Sequence, residues 1–123
     1  MIRAAFRLLF ASCIVLLSVA PAMAQQQIVF ANMVPTGFCQ FTASTAATLA
    51  TSCSGIPAKS LVAVIVDETQ STRWRDDGTA PTTSVGMLLS VGSTLTYQGD
   101  LTKIQFVAVS GSPVMDVSFY GIH

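Results

Sequence analysis

Past residue 27 the apolar positions come in short runs or in strict alternation, cut every few residues by turn formers, and no 3.6-residue period runs through them. The longest run, 61–66, reads Leu-Val-Ala-Val-Ile-Val before Asp67-Glu68 ends it. Six mostly β-branched residues are too few for a buried helix, so the run predicts a central strand covered on both faces. Around it, 28–30, 72–75, 87–89 and 104–109 predict further short strands. In 93–97, Leu95 and Tyr97 share one face. In 114–120, Met115, Val117 and Phe119 point inward while Asp116 and Ser118 point out.

The punctuation fits strands too. Pro35-Thr36-Gly37, Ser54-Gly55-Ile56-Pro57, Asp77-Gly78 and Val91-Gly92 predict turns, and Gly111-Ser112-Pro113 predicts a hairpin turn. Asp100 is placed to cap a single helical turn over 101–103. About eight short strands at this spacing predict an all-β fold, a small antiparallel β-sandwich of jelly-roll or immunoglobulin-like type.

The first residues change the picture of where the fold begins. Arg3 and Arg7 precede an apolar run over 8–20, and Pro21-Ala22-Met23-Ala24 follows. A basic start, a short apolar centre and an A-x-A ending predict a signal-peptide helix over 1–24, cleaved between Ala24 and Gln25, leaving one domain over 25–123. The apolar run is shorter than the roughly 20 residues that span a bilayer, so no stable membrane insertion is expected after cleavage. Gln25, not Cys, follows the cleavage point, which excludes a lipoprotein.

Charge then narrows the partners. Lys59, Arg73, Arg75 and Lys103 stand against Asp67, Glu68, Asp76, Asp77, Asp100 and Asp116, a net charge of −2 past residue 24. Four scattered cations give neither a nucleic-acid footprint nor a polybasic lipid patch. Cys39 and Cys53 remain once Cys13 leaves with the leader, an even pair suited to an oxidising, periplasmic or extracellular setting. A hairpin centred on Ala46 would set Cys39 opposite Cys53 and Phe41 opposite Thr51, predicting a disulfide worth ~3 kcal/mol. A short helix over 45–50 is the alternative for this segment.

Candidate chemistry gathers in 72–87, which holds the only tryptophan and both arginines left after cleavage. Arg73 and Arg75 share a strand face, with Trp74 on the other. One reading is a sugar- or carboxylate-binding patch formed by Arg73, Trp74, Arg75, Asp76 and Asp77. The other places Trp74 in the core and pairs both arginines with Asp76, Asp77 or Glu68. Neighbouring carboxylates on a strand diverge, and Ca²⁺ needs six to eight oxygens, so no metal or cofactor is assigned. His123 is the last residue and the only histidine, which leaves no triad, and no catalytic residue is named.

Arg73-Trp74-Arg75-Asp76-Asp77-Gly78-Thr79-Ala80-Pro81-Thr82, then Val85-Gly86-Met87, Gly99-Asp100-Leu101, Ile104-Gln105-Phe106 and Val117-Ser118-Phe119-Tyr120, resemble a group of small β-sandwich proteins encoded among structural genes of tailed phages and prophages. The likeness covers roughly 63–120, and its Arg-Asp-Asp-Gly-Thr-Ala-Pro-Thr stretch is the most specific part. It implies a sandwich that decorates or joins a larger assembly, without enzymatic residues. The leader and the cysteine pair depart from that group and point to use outside the inner membrane.

The expected function is thus an exported, non-enzymatic module acting by surface contact, with a protein or glycan partner or by self-association. The alternatives are a phage-derived virion or decoration protein, and a small extracellular carbohydrate- or calcium-binding domain. A glycan binder should turn Trp74 or Tyr97 to solvent in a groove. A structural subunit should show a flat apolar patch or a free strand edge, with 28–30 and 87–89 as candidate edges.

Overall fold

The structure, a computed structural model, describes residues 32–123. The expected leader, its cleavage point and the 28–30 strand lie outside these residues. The order of elements is β1 (Val34–Thr42), β2 (Ala47–Thr48), α1 (Leu49–Ser52), β3 (Ser60–Asp67), β4 (Thr72–Arg75), β5 (Met87–Leu89), β6 (Thr94–Tyr97), β7 (Gln105–Ala108) and β8 (Val114–Gly121). They form two four-stranded antiparallel sheets, ordered β1-β8-β3-β6 and β2-β7-β4-β5. All links but β4–β5 pass from one sheet to the other. This is the eight-stranded jelly-roll order rather than the immunoglobulin one.

The alternating pattern of β8 explains its place. Met115, Val117 and Phe119 are buried on its inner face, against Phe41 of β1 and Ala63 and Ile65 of β3. The second sheet answers with Trp74, Leu89 and Phe106, and Phe106 meets Phe41 edge-on with ring centres 6.3 Å apart. Each such side chain stabilises the fold by about 1.5–3 kcal/mol through burial.

Several expectations need correcting. The Cys39–Cys53 disulfide is present, with Cα atoms 5.5 Å apart, but no hairpin carries it. Cys39 lies in β1, whose backbone pairs with β8 from Val34↔Gly121 to Thr42↔Val114, while Cys53 caps the C-terminus of α1. Thr48 starts that helix by accepting a hydrogen bond from Thr51 N at 3.1 Å, so the segment turns helical later than 45–50. The disulfide therefore ties a strand of the first sheet to the helical turn that follows an edge strand of the second.

Pro35-Thr36-Gly37 is not a turn but an irregular stretch inside β1, where the register shifts between Pro35 and Gly37. β1 is an edge strand, and an edge tolerates the missing proline donor. Gly111-Ser112-Pro113 is not a hairpin turn either, because β7 and β8 belong to different sheets. The 61–66 run does form a strand between β8 and β6, but it is not covered on both faces throughout: Leu61 at its start is exposed, whereas Val62, Ala63 and Ile65 are buried. Val64 and Val66 on the outer face are half-buried.

The links sort to two ends. At one end lie 43–46, 68–71, 90–93 and 109–113, and at the other the longer 53–59, 76–86 and 98–104. The short links are laced together. Ala43 N donates to Pro113 O at 3.0 Å, Glu68 N to Val114 O at 2.9 Å, Gly92 N to Asp67 O at 2.6 Å and Val109 N to Ser71 O at 3.0 Å. Beneath them Asp67 and Thr72 are wholly buried. Neither the Asp67 carboxyl oxygens nor the Thr72 hydroxyl reaches a partner in good hydrogen-bonding geometry, although Thr72 and the N–H groups of Gln70 and Thr72 face the carboxyl. Burial raises the Asp67 pKa, and those neighbours only partly offset the rise.

Candidate functional site

β4 carries the residues singled out by sequence to the long-link end of the sandwich, alternating as a strand dictates. Trp74 faces inward and is only 9% exposed, packing edge-on against Tyr97 of β6 with ring centres 6.0 Å apart. Arg73 and Arg75 face outward and are half-buried. Their partners differ. Arg75 grips the Asp77 carboxylate through both Nε and Nη2, while Thr79 N donates to Asp77 Oδ1 at 3.0 Å. These donors, the Arg75 side chain first, hold the Asp77 pKa below its usual value.

Arg73 meets no acid. Its Nε donates to Thr83 O at 3.1 Å and its Nη1 to Gly86 O at 2.9 Å, which fastens the 76–86 loop to β4. The expected ion pairs hold for Arg75 and fail for Arg73, because the loop folds back and presents carbonyls to the guanidinium. Gly86 makes the fold-back possible. It sits at φ 133°, and a Cβ there would lie 3.1 Å from Trp74 O and 3.2 Å from the Arg73 and Pro81 side chains.

Asp76 turns away from Asp77, so the two carboxylates do not converge. Its Oδ2 accepts from Tyr97 Oη at 3.1 Å. Burial, then the Asp76 contact and charge and the charge of Asp100, push the Tyr97 pKa up to about 12, so the phenol stays a donor. Tyr97 reaches Asp76 by lying across Gly99, where a Cβ would fall 2.2 Å from the hydroxyl. Asp100 holds the adjacent turn by accepting from Thr102 N at 3.0 Å and from the Thr102 hydroxyl at 2.6 Å, which lowers its pKa. The expected cap is there, on a turn rather than a helix.

Two clefts open at this end. One, of about 370 Å³, is lined by Trp74, Arg75, Asp76, Asp77, Val85, Gly86 and Met87. The other, of about 430 Å³, lies where β3 outruns β6. Ala63↔Tyr97 is the last pair between them, and Ser60, Leu61, Gln98, Asp100 and Leu101 line the gap beyond. Among the described residues no three His, Cys, Asp or Glu side chains are grouped to hold a metal ion.

Comparisons with protein families, curated proteins and solved structures returned no match to this chain.

The first cleft adjoins the free edge of its sheet. β5 pairs with β4 through Thr72↔Leu89, Arg73↔Leu88 and Trp74↔Met87, and among the described residues no strand pairs with its other side. Among the described residues, four of the seven large exposed apolar side chains are on it or beside it: Val85, Met87, Leu88 and Val91. The sequence pointed to Trp74 and the charged residues but missed Val85 and Gly86 as walls of the cleft. The neutral run from Val85 to Val91 was the available signal, since edge strands ordinarily carry a charge or a proline.

Proposed function

We propose that this protein is an exported, non-enzymatic β-sandwich module that acts by contact with another protein, through the β5 edge and the cleft beside it. The observation that carries the reading is an uncharged terminal strand with Met87 60% and Leu88 54% exposed. Among the described residues no strand uses the outward backbone donors and acceptors of this edge, and it carries no gatekeeping charge, so a strand from elsewhere can pair with it. Glycan stacking has less support, because Trp74 and Tyr97 are both buried rather than turned to solvent.

Export is supported by the leader-like start of the sequence and the disulfide. No helix among the described residues is long and apolar enough to cross a membrane. A periplasmic or secreted location follows from that reading. A second reading, a phage-derived structural or decoration subunit, draws on the jelly-roll order, which capsid and lectin domains share. It predicts the same edge contact between copies.

Leu88→Lys tests the contact, because it adds a charge to the edge without touching the core. The variant should keep the wild-type melting temperature and lose the assembly or partner seen by native mass spectrometry of the exported protein. Identical assemblies for both proteins would remove β5 as the contact.

A further inference from the structure

The charges lining the Trp74 cleft do not balance. Its wall carries Arg75, Asp76 and Asp77. Arg75 is committed to Asp77 through both guanidinium contacts. Arg73, the next cation on the strand, spends its donors on Thr83 O and Gly86 O. Asp76 is left with the Tyr97 hydroxyl, a neutral donor on one carboxylate oxygen, and no lysine or arginine among the described residues forms an ion pair with it. The cleft thus presents one uncompensated negative charge beside apolar walls of Trp74, Val85 and Met87.

Position joins this charge to the strand edge. Met87 is the cross-strand partner of Trp74, so the two side chains share a face of the sheet. A strand added to β5 would set alternate side chains on that same face, next to Met87 and over the mouth of the cleft. A basic side chain suits this site twice over, since its aliphatic stem can lie along the apolar wall while its head meets Asp76.

We propose that β5 takes up an extended segment of a partner protein, with a lysine or arginine of that segment seated in the Trp74 cleft against Asp76. This rests on the contact reading above and adds the chemistry of the partner. The edge supplies register-tolerant main-chain pairing, and the carboxylate selects which side chain sits over the cleft. An acidic segment is repelled by Asp76, and a neutral glycan can donate hydroxyls to it but gains no charge pairing.

Trp74 is the only tryptophan in the chain and lines the cleft, so its fluorescence gives a single-residue report on that wall. The probes are the capped pentapeptide Val-Lys-Val-Thr-Val, its Lys→Glu counterpart and a backbone N-methylated version, titrated into protein purified after expression of the full chain. The lysine peptide should bind about tenfold tighter than the glutamate peptide and weaken as salt rises from about 50 to about 500 mM. N-methylation should weaken it about tenfold, because it removes main-chain donors. In Asp76→Asn, which keeps an acceptor for Tyr97, the lysine preference should shrink to within about twofold at an unchanged melting temperature.

Equal binding of the lysine and glutamate peptides to the wild-type protein would overturn the proposal, whatever the variant does. So would a shift of Trp74 emission by a panel of neutral oligosaccharides with the peptides silent. If Leu88→Lys abolishes assembly while the peptide charge has no effect, the contact reading stands and only the basic residue is lost. If Leu88→Lys leaves assembly intact, the contact reading fails first.

Discussion

The two ends of the sandwich are built from the same kinds of residue and put them to opposite use. At the short-link end an acid, Asp67, is enclosed with its hydroxyl neighbour Thr72 under a lid of backbone hydrogen bonds. At the long-link end the acids Asp76, Asp77 and Asp100 are exposed, and each accepts a hydrogen bond from a neighbouring side chain. The first arrangement closes the fold. The second leaves two clefts, one of them beside a strand edge with which no described residue pairs. Link length decides the difference: a short crossing has no slack to form a wall, whereas the 76–86 loop can fold back onto Arg73 and shape one.

The ends should also answer acid in opposite senses. A carboxyl whose pKa rises on folding favours the fold most when protonated. Asp67, raised by burial, and Glu68, raised by its hydrogen bond and repulsion with Asp116, therefore contribute most at acid pH. Their contribution fades as pH climbs from the ordinary carboxylate range through the raised values. Asp77 and Asp100 have lowered values, so theirs is complete above the ordinary range and is lost as pH falls through the lowered ones.

Four substitutions or treatments sharpen this contrast. The largest effect is expected from Trp74→Ala, which empties the core beneath the cleft and should cost ~3–5 kcal/mol by urea unfolding. A loss below about 1 kcal/mol would place the ring at the surface and weaken the distinction between core and cleft. Next, replacing both Cys39 and Cys53 by serine should cost ~3 kcal/mol, with the secondary structure seen by circular dichroism unchanged, because strand pairing rather than the disulfide sets the topology. Gly86→Ala should cost roughly 1–2 kcal/mol from its left-handed backbone and crowded Cβ, and should raise hydrogen exchange within 76–86 alone. The smallest change is Asp67→Asn. It should stabilise by on the order of 1 kcal/mol at about pH 8 and do nothing near pH 3, where the native carboxyl is protonated. A destabilisation at both pH values would show that Asp67 is held as an ion by its neighbours.

Much of the fold was legible because β-strand burial is written locally. Met115, Val117 and Phe119 alternate with Asp116 and Ser118, and the structure buries the first set. The 72–75 segment was equally readable, with Trp74 in and both arginines out. What escaped was pairing between distant residues. A hairpin joining Cys39 to Cys53 is the cheapest local solution, yet Cys39 lies opposite Val117, because β8 offers an apolar face that the 45–53 segment cannot. Pro35 and Gly37 read as turn formers because their letters say nothing about an edge position with a bulge. In the site, the Asx turn at Asp77 was visible from Asp-Gly, whereas the Arg73 grip on Thr83 O and Gly86 O was not. A guanidinium pairing with carbonyls leaves no mark in composition.

The central claim is that the long-link end, at the β5 edge, is where this protein meets its partner, and that the short-link end is closed structure. Photo-crosslinking in intact cells tests it most directly, with a benzophenone amino acid placed at position 88 in one strain and at exposed position 112 in another. The account predicts a discrete covalent adduct from 88 and none from 112. Adducts from 112 with 88 silent would contradict it.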